Sequence, residues 1–448
     1  MLLTRFLKFN RQNLYFSIAV LSLLLISFIA LPFGTGDTAE LVISSQKFGE
    51  CLSSGAFFGC NDLERFGLSP HVLSVIIYSI FNDVNSTITG WAILNFSLYL
   101  YFLWDVQKRF SNHNFIILGV LIFSPLTAYA IYSYTEMSFI VFTYFLLIAI
   151  KNKKLLLVIG LGILVSAYRE SSIILTIPLS LAIIFSNQTI RLSQFAINIA
   201  PQLLGFFLYN LFNFYKYNNF VNVEYQLGRV TESKMIISNF FGIWFSPSGG
   251  ILGYFWLSII FLTFINLNYL RIKKKNLAFY SILGALILNL LLLSNWFAPF
   301  GWVTWGPRLF MPTVVLSLMA ILIAENNFQD IKSNLLRIVY AISTALSSLS
   351  LLGFLVNSDV FRQWLTEVIF KTKACPELYI WETQPDLYSQ CFIEMSWNLN
   401  SLPVLSIKNL LNFMVNNFQS NGLQVLLSFI FILSLIGYLK RFLFNNVK

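Results

Sequence analysis

Runs of apolar residues recur along the whole chain with short polar punctuation between them, near 14–32, 86–104, 114–132, 137–150, 155–168, 171–186, 194–214, 251–269, 277–296, 309–324, 335–356 and 422–438. A hydrocarbon layer about 30 Å thick asks for helices of about twenty apolar residues that satisfy their own backbone groups. The pattern therefore predicts an all-α polytopic membrane protein of about twelve transmembrane helices. Connecting segments differ in length on the two sides. Three are long, 33–85, 215–250 and 357–421, whereas the opposite links run from a few residues to about a dozen.

Within the first long segment, Ser69-Pro70-His71 opens an apolar stretch, Val72 to Phe81, that is too short to span and predicts a helix lying in the interface. The last long segment sets Trp364, Tyr379, Trp381, Tyr388 and Trp397 among polar residues and reads as an ordered cap. Two parts follow: 1–325, a transmembrane module with external loop 33–85, and 326–448, further membrane helices carrying the cap 357–421.

Composition sharpens the class. Of 448 residues, 57% are hydrophobic and 11% charged, against about 25% charged in soluble domains. A net charge of +10 raises nucleic acid as a partner, but the basic residues come in small groups between apolar runs, never as a basic face with interleaved aromatics, so none is expected. They read as topology signals. Arg5, Lys8 and Arg11 precede the first run and predict a cytoplasmic N-terminus, the run itself reading as an uncleaved anchor, with a cleaved signal peptide as the alternative.

With that orientation both termini are cytoplasmic, and the cytoplasmic side holds 18 of 29 basic residues but only Asp105, Glu325 and Asp330 of 19 acidic ones. Acidic residues contribute little to orientation, so their excess outside points to function there. The expected placement is an inner (plasma) membrane with a periplasmic or extracellular active site. All four cysteines fall on the outer side, where disulfides persist; Cys51–Cys60 and Cys375–Cys391 are the simplest pairing, with free buried cysteines as the alternative.

Three groups could carry chemistry. Gly36-Asp37-Thr38-Ala39-Glu40 follows the first span; in a helix Asp37 and Glu40 share a face, and a carboxylate there can take a proton from an acceptor hydroxyl, although Asp37 also suits a helix N-cap. Tyr129, Tyr132, Tyr134 and Glu136, with Tyr168, Arg169 and Glu170, lie at the outer ends of the third to fifth spans. Short antiparallel spans bring Glu136 and Arg169 to the level of Asp37, while Arg169 and Glu170 also read as a local surface pair of little weight.

The third group is Asn295-Trp296 and Gly301-Trp302-Val303-Thr304-Trp305-Gly306-Pro307-Arg308. An aromatic belt accounts for its tryptophans. The Gly-Pro turn, however, starts a membrane helix with Arg308, whose guanidinium fork matches phosphate oxygens. No nucleotide loop or zinc pattern appears, and the only histidines are His71 and His113. No haem, flavin or zinc is expected; a divalent cation is left open, since Asp37, Glu40 and Glu136 offer oxygen ligands.

Taken together, Gly36-Asp37-Thr38-Ala39-Glu40, Ser69-Pro70-His71, Ala167-Tyr168-Arg169 and Trp305-Gly306-Pro307-Arg308-Leu309-Phe310-Met311-Pro312 resemble the GT-C superfold of polyprenyl-phosphate-sugar-dependent glycosyltransferases, which includes protein O-mannosyltransferases and aminoarabinose transferases. Phe245-Ser246-Pro247-Ser248-Gly249-Gly250 also looks like a segment of bacterial members. The resemblance implies Asp37, with Glu40 beside it, as catalytic base, and Arg308 and Arg169 as donor-phosphate ligands. Glu136, Tyr134, Trp305 and His71 are candidate substrate contacts. It further implies a sugar moved from a polyprenyl phosphate to a hydroxyl of a glycan, lipid or protein acceptor, among membrane lipids. This sequence lacks the family's directly adjacent carboxylate pair and a large soluble C-terminal domain. The rival readings are an O-antigen-type polymerase or ligase and, from another class, a lipid flippase or solute transporter.

Overall fold

A computed structural model describes residues 14–31, 36–55, 63, 66–110, 114–131, 135–186, 192–222, 233–295, 308–325, 333–357, 397, 401–416 and 421–444. The described residues form helices and no strand. In chain order they are α1 (Leu14–Ile29), α2 (Gly36–Ser54), α3 (Leu68–Phe81), α4 (Val84–Arg109), α5 (Asn114–Ile122), α6 (Pro125–Ile131), α7 (Thr135–Lys151), α8 (Leu155–Ser166) and α9 (Ser172–Ser186). There follow α10 (Leu192–Tyr217), α11 (Ser233–Phe245), α12 (Leu257–Ile272), α13 (Asn276–Ser294), α14 (Met311–Glu325), α15 (Asn334–Val356), α16 (Leu402–Asn416) and α17 (Gly422–Phe444).

Four of these, α10, α13, α15 and α17, are long and apolar enough to cross a membrane by themselves. Six shorter apolar helices, among them α1, α8, α9, α12 and α14, accompany them. The chain is a helical membrane protein by this measure, and the expected dozen spans is a finer count than these helices support. Each predicted apolar run does fall on helix, with two differences. The run 114–132 is broken between α5 and α6, because Pro125 has no N–H to give back to Leu121; Ser124 bonds that carbonyl through Oγ at 2.8 Å instead, and the same oxygen accepts from Leu126 N–H at 3.2 Å. The run 251–269 becomes helical only at Leu257. Residues 247–256 form a compact turn in which a Cβ on Gly253 would meet Pro247 O at 2.3 Å.

The expected short helix after Ser69 is α3, bent 118° from α4. Asn82, in the left-handed conformation, ends it, and the Asp83 carboxylate caps α4 by accepting from Ser86 N–H at 3.0 Å. Val72, Ile76 and Ile80 line one exposed apolar face, while Ser69, His71, Ser74 and Ile77 are buried.

Two helices form the axis of the core. All of α14 from Met311 to Ala324 is buried, as is nearly all of α7, and the two pack together with α9, α12 and α13 around them. At the periphery α1 lies against α17, where Phe16 touches Tyr438 and Phe123. The charged residues of α7 and α14, Glu136, Lys151 and Glu325, are confined to their ends. At the C-terminal ends Lys275 Nζ pairs with Glu325 at 2.8 Å, close enough to Lys151 to influence its charge. Asp105 on α4 accepts from Arg109 Nε at 2.5 Å and Tyr144 OH at 2.7 Å.

Candidate functional site

The opposite, N-terminal ends of α7 and α14 hold Glu136 and Arg308. Glu136 lies in the first turn of α7, only 3% exposed, where a carboxylate also faces the positive end of the helix dipole. Arg308 occupies the turn before α14 and is buried. Its Nε donates to Glu136 Oε1 at 2.8 Å. Arg169 reaches the same oxygen from the turn after α8, Nη1 to Oε1 3.8 Å, with its guanidinium 5.1 Å from the Phe139 ring one helical turn below. Glu136 Oε2 is buried and has no hydrogen-bond partner among the described residues.

That turn is clamped from two sides. Tyr168 OH donates to Ser138 Oγ at 3.0 Å, fastening it to α7; burial pushes the phenol's pKa up. On the other side the start of α3 docks onto it. Ser69 N–H donates to Ala167 O at 3.1 Å and Ser69 Oγ to Leu164 O at 2.6 Å. Gly67 makes this approach possible, since a Cβ there would stand 2.0 Å from Tyr168 O.

His71, one turn into α3, is fully buried. Its Nδ1 faces Gly67 O at 2.9 Å, and a carbonyl can only accept, so Nδ1 carries the proton and Nε2 accepts from Ser44 OH at 2.8 Å. Burial and nearby Lys216 hold its pKa down at about 3. Phe48, Phe66 and Phe212 enclose the ring. With both nitrogens engaged inside the chain, His71 pins α2 to α3, and a ligand contact there requires displacing Ser44.

The expected Arg169–Glu170 surface pair is corrected. The two side chains diverge: Arg169 turns to Glu136, and Glu170 accepts from Asn222 N–H at 3.2 Å, with Tyr209 OH nearby. Burial pushes the Glu170 carboxyl up. Lys216, which the sequence reading passed over, is 3% exposed; it donates to Phe66 O at 2.9 Å and lies 5.0 Å from the Phe212 ring. Its signal was present, as a polar position in register with Asn213 and Tyr209 on one face of an otherwise apolar helix.

No protein-family model, curated protein or solved structure matches the chain.

Of the expected site residues, the fold brings Glu136, Arg169 and Arg308 together and gives His71 its own cluster. Glu40 is half-buried on α2. The backbone of Asp37 belongs to the first turn of α2, while its side chain, and all of Tyr134 and Trp305, lie outside the described residues. Among the described residues no three His, Cys, Asp or Glu side chains gather as a cation site. No disulfide joins two described residues. Cys51 is not free, and Cys60, Cys375 and Cys391 lie outside the description. Chemically, two guanidinium groups at one carboxylate, in a place largely closed to water, can recognise a phosphate or carboxylate; Glu136 sets their direction.

Proposed function

We propose that this protein is a membrane glycosyltransferase that moves a sugar from a polyprenyl-phosphate donor to an acceptor hydroxyl on the non-cytoplasmic face of an inner (plasma) membrane. The observation that carries the reading is the convergence of Arg308 and Arg169 on the buried Glu136 carboxylate. The arginines hold the donor phosphate and stabilise the charge that grows on it as the sugar–oxygen bond breaks, a role strengthened where water is excluded. Asp37 takes the proton of the attacking hydroxyl, with Glu40 one turn behind it. The leaving polyprenyl phosphate is stable enough as an anion to need no nucleotide.

A transporter or flippase is the second reading, favoured by the α5–α6 break inside an apolar run. One experiment addresses both. Wild type and Asp37→Asn in lipid nanodiscs are given polyprenyl-phosphate sugars with candidate acceptors, and transfer and hydrolysis are followed. Wild type transfers sugar, and Asp37→Asn loses about 100-fold or more. Equal rates in the two proteins remove Asp37 as the base. Donor left intact by wild type in every combination, with headgroup crossing in proteoliposomes, replaces the enzyme reading by the transporter.

A further inference from the structure

Six polar residues of α10 form one row. Gln194, Asn198, Gln202, Tyr209, Asn213 and Lys216 are spaced by three, four or seven residues, which keeps them on a single face of a helix long enough to span the membrane. From Gln202 onward that face is buried: Gln202, Tyr209 and Asn213 are 0% exposed. A second row runs down α9, where Ser172, Thr176 and Ser180 are four residues apart and equally buried.

The two rows face each other. Gln202 Nε2 donates to Ser180 Oγ at 2.9 Å at one end, and at the other Tyr209 lies close to Glu170, just before α9. The third wall is α8, which runs parallel to α10. Gly162 is set against Pro201 and Gln202, and Gly205 against Ile163, so the last residue of α8, Ser166, falls near the level of Tyr209.

Single unpartnered hydroxyls occur elsewhere among the described residues, at Thr143 and Ser317 for example, but this seam gathers six unpartnered polar atoms between three helices. Elsewhere Ser27, Thr263, Ser294, Ser406 and Ser428 each donate to the carbonyl four residues before them. In the seam Ser166 Oγ, Ser172 Oγ, Thr176 Oγ1, Gln202 Oε1, and both Oδ1 and Nδ2 of Asn213 are buried with no hydrogen-bond partner among the described residues. A buried polar group left without a partner is destabilising, and six together rival the whole stability of an ordinary domain. Something must bond to them.

The walls restrict what that can be. The unpartnered groups are all neutral and mix donors with acceptors, which does not select an ion. The backbones are too close for a ring: a Cβ on Gly205 would stand 2.4 Å from Ile163 O, and one on Gly162 would stand 3.0 Å from Pro201 Cβ. A molecule of one heavy atom that both donates and accepts, and needs two to four polar partners, meets these conditions. We propose that the seam between α8, α9 and α10 holds a file of ordered water molecules bonded to Ser172, Thr176, Gln202 and Asn213. The file carries hydration from the Arg169–Glu170 turn into the apolar interior. It is independent of the reaction at the outer end.

Hydroxyl-radical footprinting of the full chain in lipid nanodiscs tests this, because radicals generated from bound water label the side chains beside it. Tyr209 and Tyr99 make an internal comparison, since both are 0% exposed. Tyr209 is oxidised several-fold faster than Tyr99, and Thr176→Val with Asn213→Leu lowers it to the rate of Tyr99. Equal labelling of the two tyrosines in wild type overturns the proposal. So does labelling of Tyr209 that the double variant leaves unchanged, since access would then come from elsewhere. Should the double variant fail to fold, Thr176→Val alone serves, and its melting temperature adds a second reading. Removing an unpartnered hydroxyl from a dry seam raises that temperature, whereas removing a water ligand leaves it level or lowers it.

Discussion

Replacing Arg308 by Met keeps a stem of similar length but takes from Glu136 the guanidinium that donates at 2.8 Å. The carboxylate, 3% exposed, is left with Arg169 at 3.8 Å, whose side chain is 27% exposed. Removing one partner of a buried pair costs about 3–5 kcal/mol, because the other charge stays behind unpaired. Arg169→Met, at the longer and wetter contact, costs about 1 kcal/mol or less. Glu136→Met alone is costly for the same reason as Arg308→Met, but Glu136→Met with Arg308→Met removes both charges and returns most of the loss. Equilibrium unfolding in mixed micelles, followed by tryptophan fluorescence on wild type, both single variants and the double variant, gives the coupling directly. A coupling of about 2–3 kcal/mol is expected. A value below about 0.5 kcal/mol, the scatter of independent sites, refutes the picture of a buried pair at the ends of α7 and α14.

Other outcomes follow from the turn between α8 and α9. Gly67→Ala forces a methyl against Tyr168 O, a backbone atom that cannot rotate away, so α3 must separate from the turn; loss of the cooperative melting transition, or a fall of about 3 kcal/mol or more in stability, checks it. Tyr168→Phe removes a single neutral hydrogen bond and leaves Ser138 Oγ without that donor, a loss of about 1 kcal/mol read by the same unfolding titration. Glu170 is raised above its unfolded value, so its contribution to stability is fully present below about pH 4.5 and is lost as pH climbs through the folded value. Subtracting the stability profile of Glu170→Gln from that of wild type therefore gives a difference that falls with rising pH from that point, and a flat difference contradicts the burial.

Helix positions were legible because apolar run length is a strong signal: α13, α15 and α17 start within a residue of their runs. The α5–α6 break was less so. Ser124-Pro125 carries the same helix-start chemistry as Ser69-Pro70, but it lay inside an apolar run that looked continuous, and hydrophobicity masked the proline. Glu136, Arg169 and Arg308 could be assigned to one level from the lengths of their helices, yet that the carboxylate would accept from Arg308 and draw Arg169 to 3.8 Å depends on the parallel packing of α7 and α14, which no local pattern encodes. Lys216 was overlooked because a single lysine near the end of an apolar run reads as an interfacial anchor. Only the turn of α10 and the docking of Phe66 place its ammonium in the interior.

The shortness of α8 has a mechanical consequence. Its twelve residues rise about 18 Å, while Leu155, Leu156 and Leu157 are half exposed or more on its outer side. Lipid tails against this face meet a wall about 12 Å shorter than a bilayer core of about 30 Å. Such mismatch costs a fraction of a kcal/mol for each ångström, which favours a dimple in the membrane over a longer helix. A bilayer that meets α8 along its length is expected to thin there, with the Arg169–Glu170 turn at the rim, and stability in vesicles of graded acyl length checks it.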